Sequence, residues 1–469
     1  MSAAVPDVSR EERARPTPSG VGTFLDAALR RAADGEGLRT VVVPAPVVEP
    51  SVLAELAGAE TLVAWEPESG PREAGVGEAA RIRATGVDRF AQVEREAHAL
   101  SASHGAFVHP DARDVTLRFF GGFAFDVDSE LEPAWEPFGQ ASFVVPRWAY
   151  RRDGGRAELR LHVRADEARV HGEAYREAFD WWLAALGERV PTNASESVAS
   201  AAPEAEPRRV EWRAAVEAAL ARLGEGAVEK VVLARREIVR AESPFDAVTV
   251  LRRLRRSYPE CFTFALRHAG QTFLGASPER LIAKRGLSVV TEALAGSISV
   301  TAENASDRLR ASQKDLREHA SVVRHVVERI ESLATDLRFD AAPTVRALPN
   351  VLHLVTPIVA TLDAPTHVLA LVAALHPTPA VGGTPQRAAM EWIRAHEPVS
   401  RGWYAGPVGW FDDQGDGEFA VALRSGLLRG DEAWIFAGAG LVRGSDPDAE
   451  FDETALKLRP LLGALGVSA

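Results

Sequence analysis

The stretch GWYAGPVGWF, residues 402–411, is followed by GEFAVALRSGLLRG, 417–430, and EAWIFAGAGLV, 432–442. Each run is dense in aromatic, aliphatic and small residues, and short glycine- and aspartate-containing breaks separate them, so they read as consecutive strands in hairpin-like succession. Strands that follow one another directly predict a large antiparallel or mixed sheet rather than a strict strand–helix–strand repeat. Upstream, EKVVLARREIV (229–239) and CFTFAL (261–266) alternate with helical segments, which extends the expectation to an α+β fold over residues 210–469.

The first part of the chain has the same character. TVVVPAP from Thr40, ETLVAW from Glu60, VTLRFFGGFAF from Val115, ASFVVPRWAY from Ala141 and ELRLHVRA from Glu158 read as strands, and EAYREAFDWWLAALGERV follows as a helix, giving an α+β portion over 22–188. Residues 1–21 carry three prolines and no apolar period, and read as a tail without the apolar core of a signal peptide. PTNASESVASAAPEAEPRR, from Pro191 to Arg209, is rich in Ala, Ser, Pro and Glu without periodicity, so residues 189–209 read as a flexible linker.

Composition narrows the partners. The 469 residues are 46% hydrophobic and 26% charged, which is globular rather than disordered. Lys plus Arg number 54 against 66 for Asp plus Glu, a formal net charge of -12, so the broad basic field that nucleic acid or an anionic membrane surface requires is absent. An anionic substrate must therefore be drawn in by a few placed cations or a metal. Cys261 is the only cysteine, which excludes an intramolecular disulfide and thiolate metal clusters and suits a reducing, cytoplasmic location.

Several residues could carry chemistry. In SQKDLREHASVVRHVVERIESL (312–333), Leu316, Ala320, Val323, Val327 and Ile330 form an apolar helical stripe expected to be buried. Asp315 and Glu318 lie about 60° apart on a face rotated off that stripe. Two readings are open for them, a solvated acidic face or a shared ligand site. In GSDPDAEFDETALKLRPLL (444–462), Asp446 is a good N-cap and Pro447 suits the first helical position. Glu450, Glu453 and Lys457 then share one face, either as a surface ion-pair array or, if this helix meets the first, as part of an oxygen-rich site for Mg²⁺.

Lys230 shares a strand face with Val232 and Ala234. An apolar setting would favour its neutral form and make it a competent general base; the alternative is a strand-end lysine pointing to water. Glu279, after the Ser-Pro of LGASPERL, is either a general acid, if buried enough to stay protonated, or a turn residue paired with Arg280. Arg424, read within the strand AVALRSG, and Lys457 are cations for a carboxylate substrate. Gly438 and Gly440 could admit backbone close to a ligand or mark a bulge. His353 and Tyr404 stand alone in apolar runs, as satisfied core residues or ligand contacts.

Taken in order, KVVLAR, GASPERL, TEALAG, KDLREH, LHLVTP, LHPTPAVGGTP, RGWYAGPVGW, FAVALRSG and AGAGLVRGSDPDAEFDETALKL resemble the chorismate-utilising enzymes, and within them the isochorismate synthases. The resemblance covers about residues 208 to 466, with weaker signatures over 22–188. It implies one large α+β fold like that of aminodeoxychorismate synthase, with two packed, mainly antiparallel sheets and helices outside, binding chorismate and Mg²⁺ in a cleft. By resemblance, Lys230 activates water to attack ring carbon 2 and Glu279 protonates the departing 4-hydroxyl. Glu318 and Glu453 would bind the metal, assisted by Asp315 and Glu450, and Tyr404 and Arg424 would hold the enolpyruvyl carboxylate. His353, Lys457, Gly296, Ser297, Gly438 and Gly440 would line the site.

The LHPTPAVGGTP segment has the isochorismate synthase form rather than the anthranilate synthase one. Ala295 replaces the nucleophilic lysine of many aminodeoxychorismate synthases, leaving room for water. No obligatory glutaminase subunit is implied. The resemblance is greatest to menaquinone-pathway enzymes; the rivals are a siderophore-pathway synthase, a salicylate synthase that also releases pyruvate, and a catalytically silent chorismate-binding scaffold.

Overall fold

A computed structural model of the protein describes residues 20–58, 61–188 and 203–467. Among these, two sheets organise the chain. The larger has 13 strands in the order Glu204–Glu206, Lys230–Arg240, Glu432–Leu441, Ser425–Arg429, Gln271–Ser277, Phe262–His268, Leu62–Glu66, Arg72–Val76, Trp148–Asp153, Arg156–Arg164, Leu38–Pro44 and Gly105–Val108, with Gly383–Thr384 also paired to the Lys230 strand. The smaller has 10, running Ala334–Phe339, Val351–Leu362, Ser288–Ser299, Arg280–Arg285, Gly417–Val421, Pro407–Asp412, Arg118–Phe123, Ala141–Val145 and Ala80–Ala84, with Thr344–Ala347 added against Val351–Leu362. Pairing is antiparallel throughout except between Leu38–Pro44 and Gly105–Val108. The mixed-sheet α+β expectation is therefore met by two mainly antiparallel sheets.

Both sheets draw strands from before and after the Pro191–Arg209 stretch. Leu62–Glu66 pairs with Phe262–His268, and Arg118–Phe123 pairs with Pro407–Asp412. The largest apolar cluster takes Phe264 and Phe273 from one sheet and Phe119, Phe143 and Phe419 from the other, with Trp135 and Trp403 filled in between, so the two sheets enclose a common core. Helices Val21–Ala33 and Ala165–Gly187 cover the larger sheet over the strands from Leu62–Glu66 to Leu38–Pro44, and Ala247–Ser257 and Pro447–Ala464 cover it over the strands from Lys230–Arg240 to Phe262–His268. No helix among the described residues is long and apolar enough to cross a membrane.

Sequence patterning misplaced several boundaries. ASFVVPRWAY is not one strand: Ala141–Val145 belongs to the smaller sheet and Trp148–Asp153 to the larger, with Pro146 at the break. GEFAVALRSGLLRG likewise divides into Gly417–Val421 and Ser425–Arg429, in different sheets. The linker and tail lie mostly outside the described residues, but their inner ends do not. Glu204–Glu206 pairs with Arg236–Ile238, whose backbone groups would otherwise have no strand on that side, and Val21 is buried at the start of its helix.

Candidate active site

The site forms where the chain passes between the sheets. Strand Gln271–Ser277 in the larger sheet gives way to Arg280–Arg285 in the smaller, and Pro278 and Glu279 are the crossing residues. The Ser277 hydroxyl accepts from the Glu279 N–H at 3.2 Å and donates to the Val421 carbonyl at 2.5 Å, while the Val421 N–H donates to the Glu279 carbonyl at 3.1 Å. The second crossing, from Gly417–Val421 to Ser425–Arg429, contains Arg424. It is thus not a strand residue, as the sequence reading had it, but a left-handed one with φ 49°. That turn puts its guanidinium in the cleft between the sheets.

A cleft of about 920 Å³, part of it open to solvent, lies against both crossings. Every residue singled out from the sequence lines it except Lys230: Glu279, Tyr404, Arg424, His353, Lys457, Gly296, Ser297, Gly438, Gly440, Glu318, Glu453, Asp315 and Glu450. Helices Gln313–Glu331 and Pro447–Ala464 do meet here, which the sequence could not show.

The first helix is turned differently from the sequence expectation. Its buried residues are His319, Val322, Val326 and Ile330, with Ala320 exposed, so the inward face is set about one residue away from the anticipated stripe. Asp315 precedes His319 by four positions and shares that inward face. The reason is the partner: the helix lies on strand Ser288–Ser299, and His319 is accommodated there by Thr356 Oγ1 at 2.8 Å and the Ala295 carbonyl at 3.3 Å. The second helix begins as expected, with the Asp446 carboxylate accepting from the Ala449 N–H and Pro447 in the first turn.

Lys230 is buried, but its setting is not apolar. Its Nζ donates to Glu318 Oε1 at 2.7 Å, and it reaches the cleft through that carboxylate rather than by lining it. Gly440 makes the arrangement possible: a Cβ there would come within 2.8 Å of Lys230 Cε and 3.3 Å of Glu318 Oε1. The strand is regular at this point, with Val232 opposite Gly440 and Ala234 opposite Gly438, so the glycines mark clearance and not a bulge. Gly296, in contrast, does sit at a register shift, with φ 80° and Asp315 Cβ 3.0 Å from the position its own Cβ would take.

Each of three carboxylates is matched by a lysine. Besides Lys230 with Glu318, Lys457 Nζ lies 2.7 Å from Glu453 and donates to the Gly438 carbonyl at 2.9 Å, and Lys314 Nζ lies 3.5 Å from Glu450. Burial pushes Asp315 and Glu450 above the usual carboxylate range, and neighbouring carboxylates, Glu318 and Glu453 respectively, push the same way. Glu453 is also desolvated, yet Lys457 holds it below that range. Among the described residues no three Asp, Glu, His or Cys side chains converge as a cage for an ion. The donor set is nonetheless all carboxylate oxygen and crowded with like charge, which fits a hard cation held by one or two carboxylates with substrate and water completing its shell.

On the other wall, Glu279 is buried and its pKa is pushed up to about 8, first by desolvation and then by Glu292, with Lys230 and Arg346 acting in the opposite sense. It is not paired with Arg280, whose guanidinium goes to Glu418. His353 is held neutral by burial and by Arg424 and Lys457. Arg424 Nη2 approaches His353 Nε2 at 3.5 Å and can only donate, so Nδ1 carries the ring proton and donates to Ser297 Oγ at 2.8 Å. Tyr404 stacks on Phe436 with ring centroids 5.3 Å apart, and burial raises its phenol to about 12, so it remains a donor.

Two charged cleft residues escaped the sequence reading. Lys314 directly precedes Asp315, and helix spacing beside an acidic pair was the available signal. Arg401, in VSRGWY, is bonded to Glu397 Oε1 and Oε2 at 2.6 Å each; a charged pair four apart around an apolar Val399 could have marked it.

A family model described as chorismate binding enzyme matches residues 27–466. The chain is 38% identical over 354 residues to isochorismate synthase MenF of Bacillus subtilis, covering 74% of each chain. It is 37% identical over 400 residues to the salicylate biosynthesis isochorismate synthase of Pseudomonas aeruginosa, covering 83% of this chain and 82% of that one. Among solved structures, MenF, the menaquinone-specific isochorismate synthase from Escherichia coli, superimposes with a TM-score of 0.77 at 28% identity, over 95% of this chain and 99% of that one. With the match running from the first helix to the last and taking in both crossings that build the cleft, the chain belongs to the chorismate-binding enzyme family.

Proposed function

We propose that the protein is a Mg²⁺-dependent isochorismate synthase, interconverting chorismate and isochorismate by adding water at ring carbon 2 and releasing the 4-hydroxyl. The observation that carries this reading is Glu279, a buried carboxyl with its pKa near 8, in the same cleft as Arg424, Lys457 and the four carboxylates. A carboxylic acid protonated at neutral pH is what a leaving hydroxyl requires.

Arg424 and Tyr404 hold the enolpyruvyl carboxylate, and neutral His353, oriented by Ser297, keeps Arg424 in place. Glu318 and Glu453 would hold the metal, assisted directly or through water by Asp315 and Glu450; when bound, it would supply the positive charge that neutralises and holds the ring carboxylate. Lys230 takes the proton of the attacking water and Glu279 gives one to the departing hydroxyl. In the reverse direction the two exchange roles. Ala295, small and on the cleft wall, leaves space for the water. The net charge of -12 makes these local cations and the metal necessary for a dianionic substrate.

Likeness to relatives named MenF favours the menaquinone pathway, and this water-adding reading needs no glutaminase subunit. One buried, reduced cysteine suits the cytoplasm. Incubation with chorismate and Mg²⁺, followed by chromatographic separation, tests the reading. Isochorismate with little pyruvate, lost with EDTA and in Lys230→Ala, is expected. Salicylate plus pyruvate would make it a lyase, and bound but unchanged chorismate a silent scaffold.

A further inference from the structure

Glu279 occupies a two-residue crossing between sheets, a place where backbone is free of ladder hydrogen bonds and needs other support. Besides Ser277 and Val421, which hold the Glu279 N–H and carbonyl, support comes from one ion pair on the smaller sheet. Arg346, in strand Thr344–Ala347, donates from Nη1 to Glu292 Oε1 and from Nη2 to Glu292 Oε2, both at 2.8 Å. The same Nη1 donates to the Pro278 carbonyl at 2.9 Å, and Glu292 Oε1 accepts from the Arg280 N–H at 3.0 Å. Glu292 is buried, and its strand, Ser288–Ser299, also contributes Ala295, Gly296 and Ser297 to the cleft.

We propose that Glu292 and Arg346 are positioning residues for Glu279, a bidentate pair that grips the backbone on both sides of the acid and fixes where its carboxyl enters the cleft. This rests on the reading of Glu279 as the general acid. Arg346 is opposite His353 in the strand register, so the same pair ties the acid to the wall that carries Arg424's partner. Neither residue is among those lining the cleft. Glu292 is also the like charge that raises the acid's proton affinity, opposed by Lys230 from strand Lys230–Arg240 and by Arg346, and Glu279 in turn acts on the Tyr404 phenol. The pair therefore sets orientation and proton affinity together.

The test compares Glu292→Gln, Arg346→Lys and Glu279→Gln for kcat, KM, the pH profile of kcat, and chorismate affinity by calorimetry. Glu292→Gln keeps an acceptor for the Arg280 N–H but removes the charge. It is expected to lower kcat about tenfold at neutral pH and to move the alkaline limb down by about one pH unit, with chorismate affinity changed less than about twofold. Arg346→Lys keeps the charge but cannot bridge Glu292 and Pro278 at once, so kcat falls while the limb stays where it is. If Glu292→Gln does not fold, Arg346→Lys decides alone, since a wild-type kcat there overturns the proposal. Inactive Glu279→Gln together with wild-type kcat and limb in Glu292→Gln removes the positioning role and leaves the acid. A fully active Glu279→Gln removes both.

Discussion

Lys230 and Glu318 form a buried ion pair, Nζ to Oε1 at 2.7 Å, joining the next-to-edge strand Lys230–Arg240 of the larger sheet to the helix that carries half of the acidic cluster. A buried lysine needs such a partner, and the carboxylate that serves it is also one of the two proposed metal ligands. Base and metal site are thus not independent: a cation at Glu318 competes with Lys230 for the same oxygen.

Replacing the base removes its proton-transfer contribution. Lys230→Ala is expected to reduce isochorismate formation on the order of 10³-fold while chorismate still binds through Arg424 and Tyr404. Chromatographic rates and calorimetry on one preparation check both halves, and turnover within a few fold of wild type would remove Lys230 from the mechanism.

Metal affinity should follow the two helices. Glu318→Gln and Glu453→Gln are each expected to weaken Mg²⁺ binding by about tenfold or more, because each removes a charged oxygen ligand from a shell that has few. Titration calorimetry without substrate reads this directly. Unchanged Mg²⁺ affinity in both variants would place the metal elsewhere.

Gly440 offers a steric test that leaves every functional group in place. Gly440→Ala puts a methyl 2.8 Å from Lys230 Cε and 3.3 Å from Glu318 Oε1, so the pair must shift by several tenths of an ångström. We expect kcat to fall roughly 10- to 100-fold with little change in thermal unfolding, since a small displacement at a reacting group is costly to rate. Wild-type kcat would mean that the Lys230–Glu318 geometry does not matter to the reaction.

The pH dependence has a defined sign. Glu279 must be protonated to release the 4-hydroxyl, and its pKa lies near 8. Forward turnover should therefore decline as pH rises through about 8, and because the isomerisation takes up no net proton, kcat/KM of the reverse reaction, which needs Glu279 ionised and Lys230 protonated together, should decline along the same limb. Initial rates in both directions across pH 6–9.5 (approximate limits) check this. A forward profile flat through pH 8 would exclude Glu279 as the exchanging group.

The residues of the site were legible because their strings recur in order, and the second helix because Asp446-Pro447 is strong local cap chemistry. What stayed hidden was where the chain changes sheets. ASFVVPRWAY and AVALRSGLL each read as one apolar run, since both sheets bury the same kind of face and period-2 alternation does not register a change of sheet. The left-handed Arg424 and the Pro278–Glu279 step are such changes, and they are where the proposed acid and the proposed carboxylate-binding arginine enter the cleft. The helix face was misjudged for a related reason: His319 replaces an apolar residue on the inward stripe, so hydrophobicity alone centred the stripe one position away.

The cleft also has a buried brace whose loss should be felt as stability before chemistry. Glu397 accepts two hydrogen bonds from Arg401, one from Nε and one from Nη2, and a third from the Ala234 N–H, while Arg401 donates onward to the Val381 and Val232 carbonyls. The pair thus links the Lys230 strand to the segments on either side of helix Gln386–His396. Both side chains are at most 5% exposed, so screening by water is slight. Arg401→Met leaves the Glu397 charge buried without its partner and two carbonyls without donors, and is expected to cost about 3–5 kcal/mol of unfolding free energy. Glu397→Gln/Arg401→Met, which removes both charges, should recover a substantial part of that loss. Chemical denaturation of the three proteins measures it; a single variant as stable as wild type would show that Arg401 does not brace the Lys230 strand.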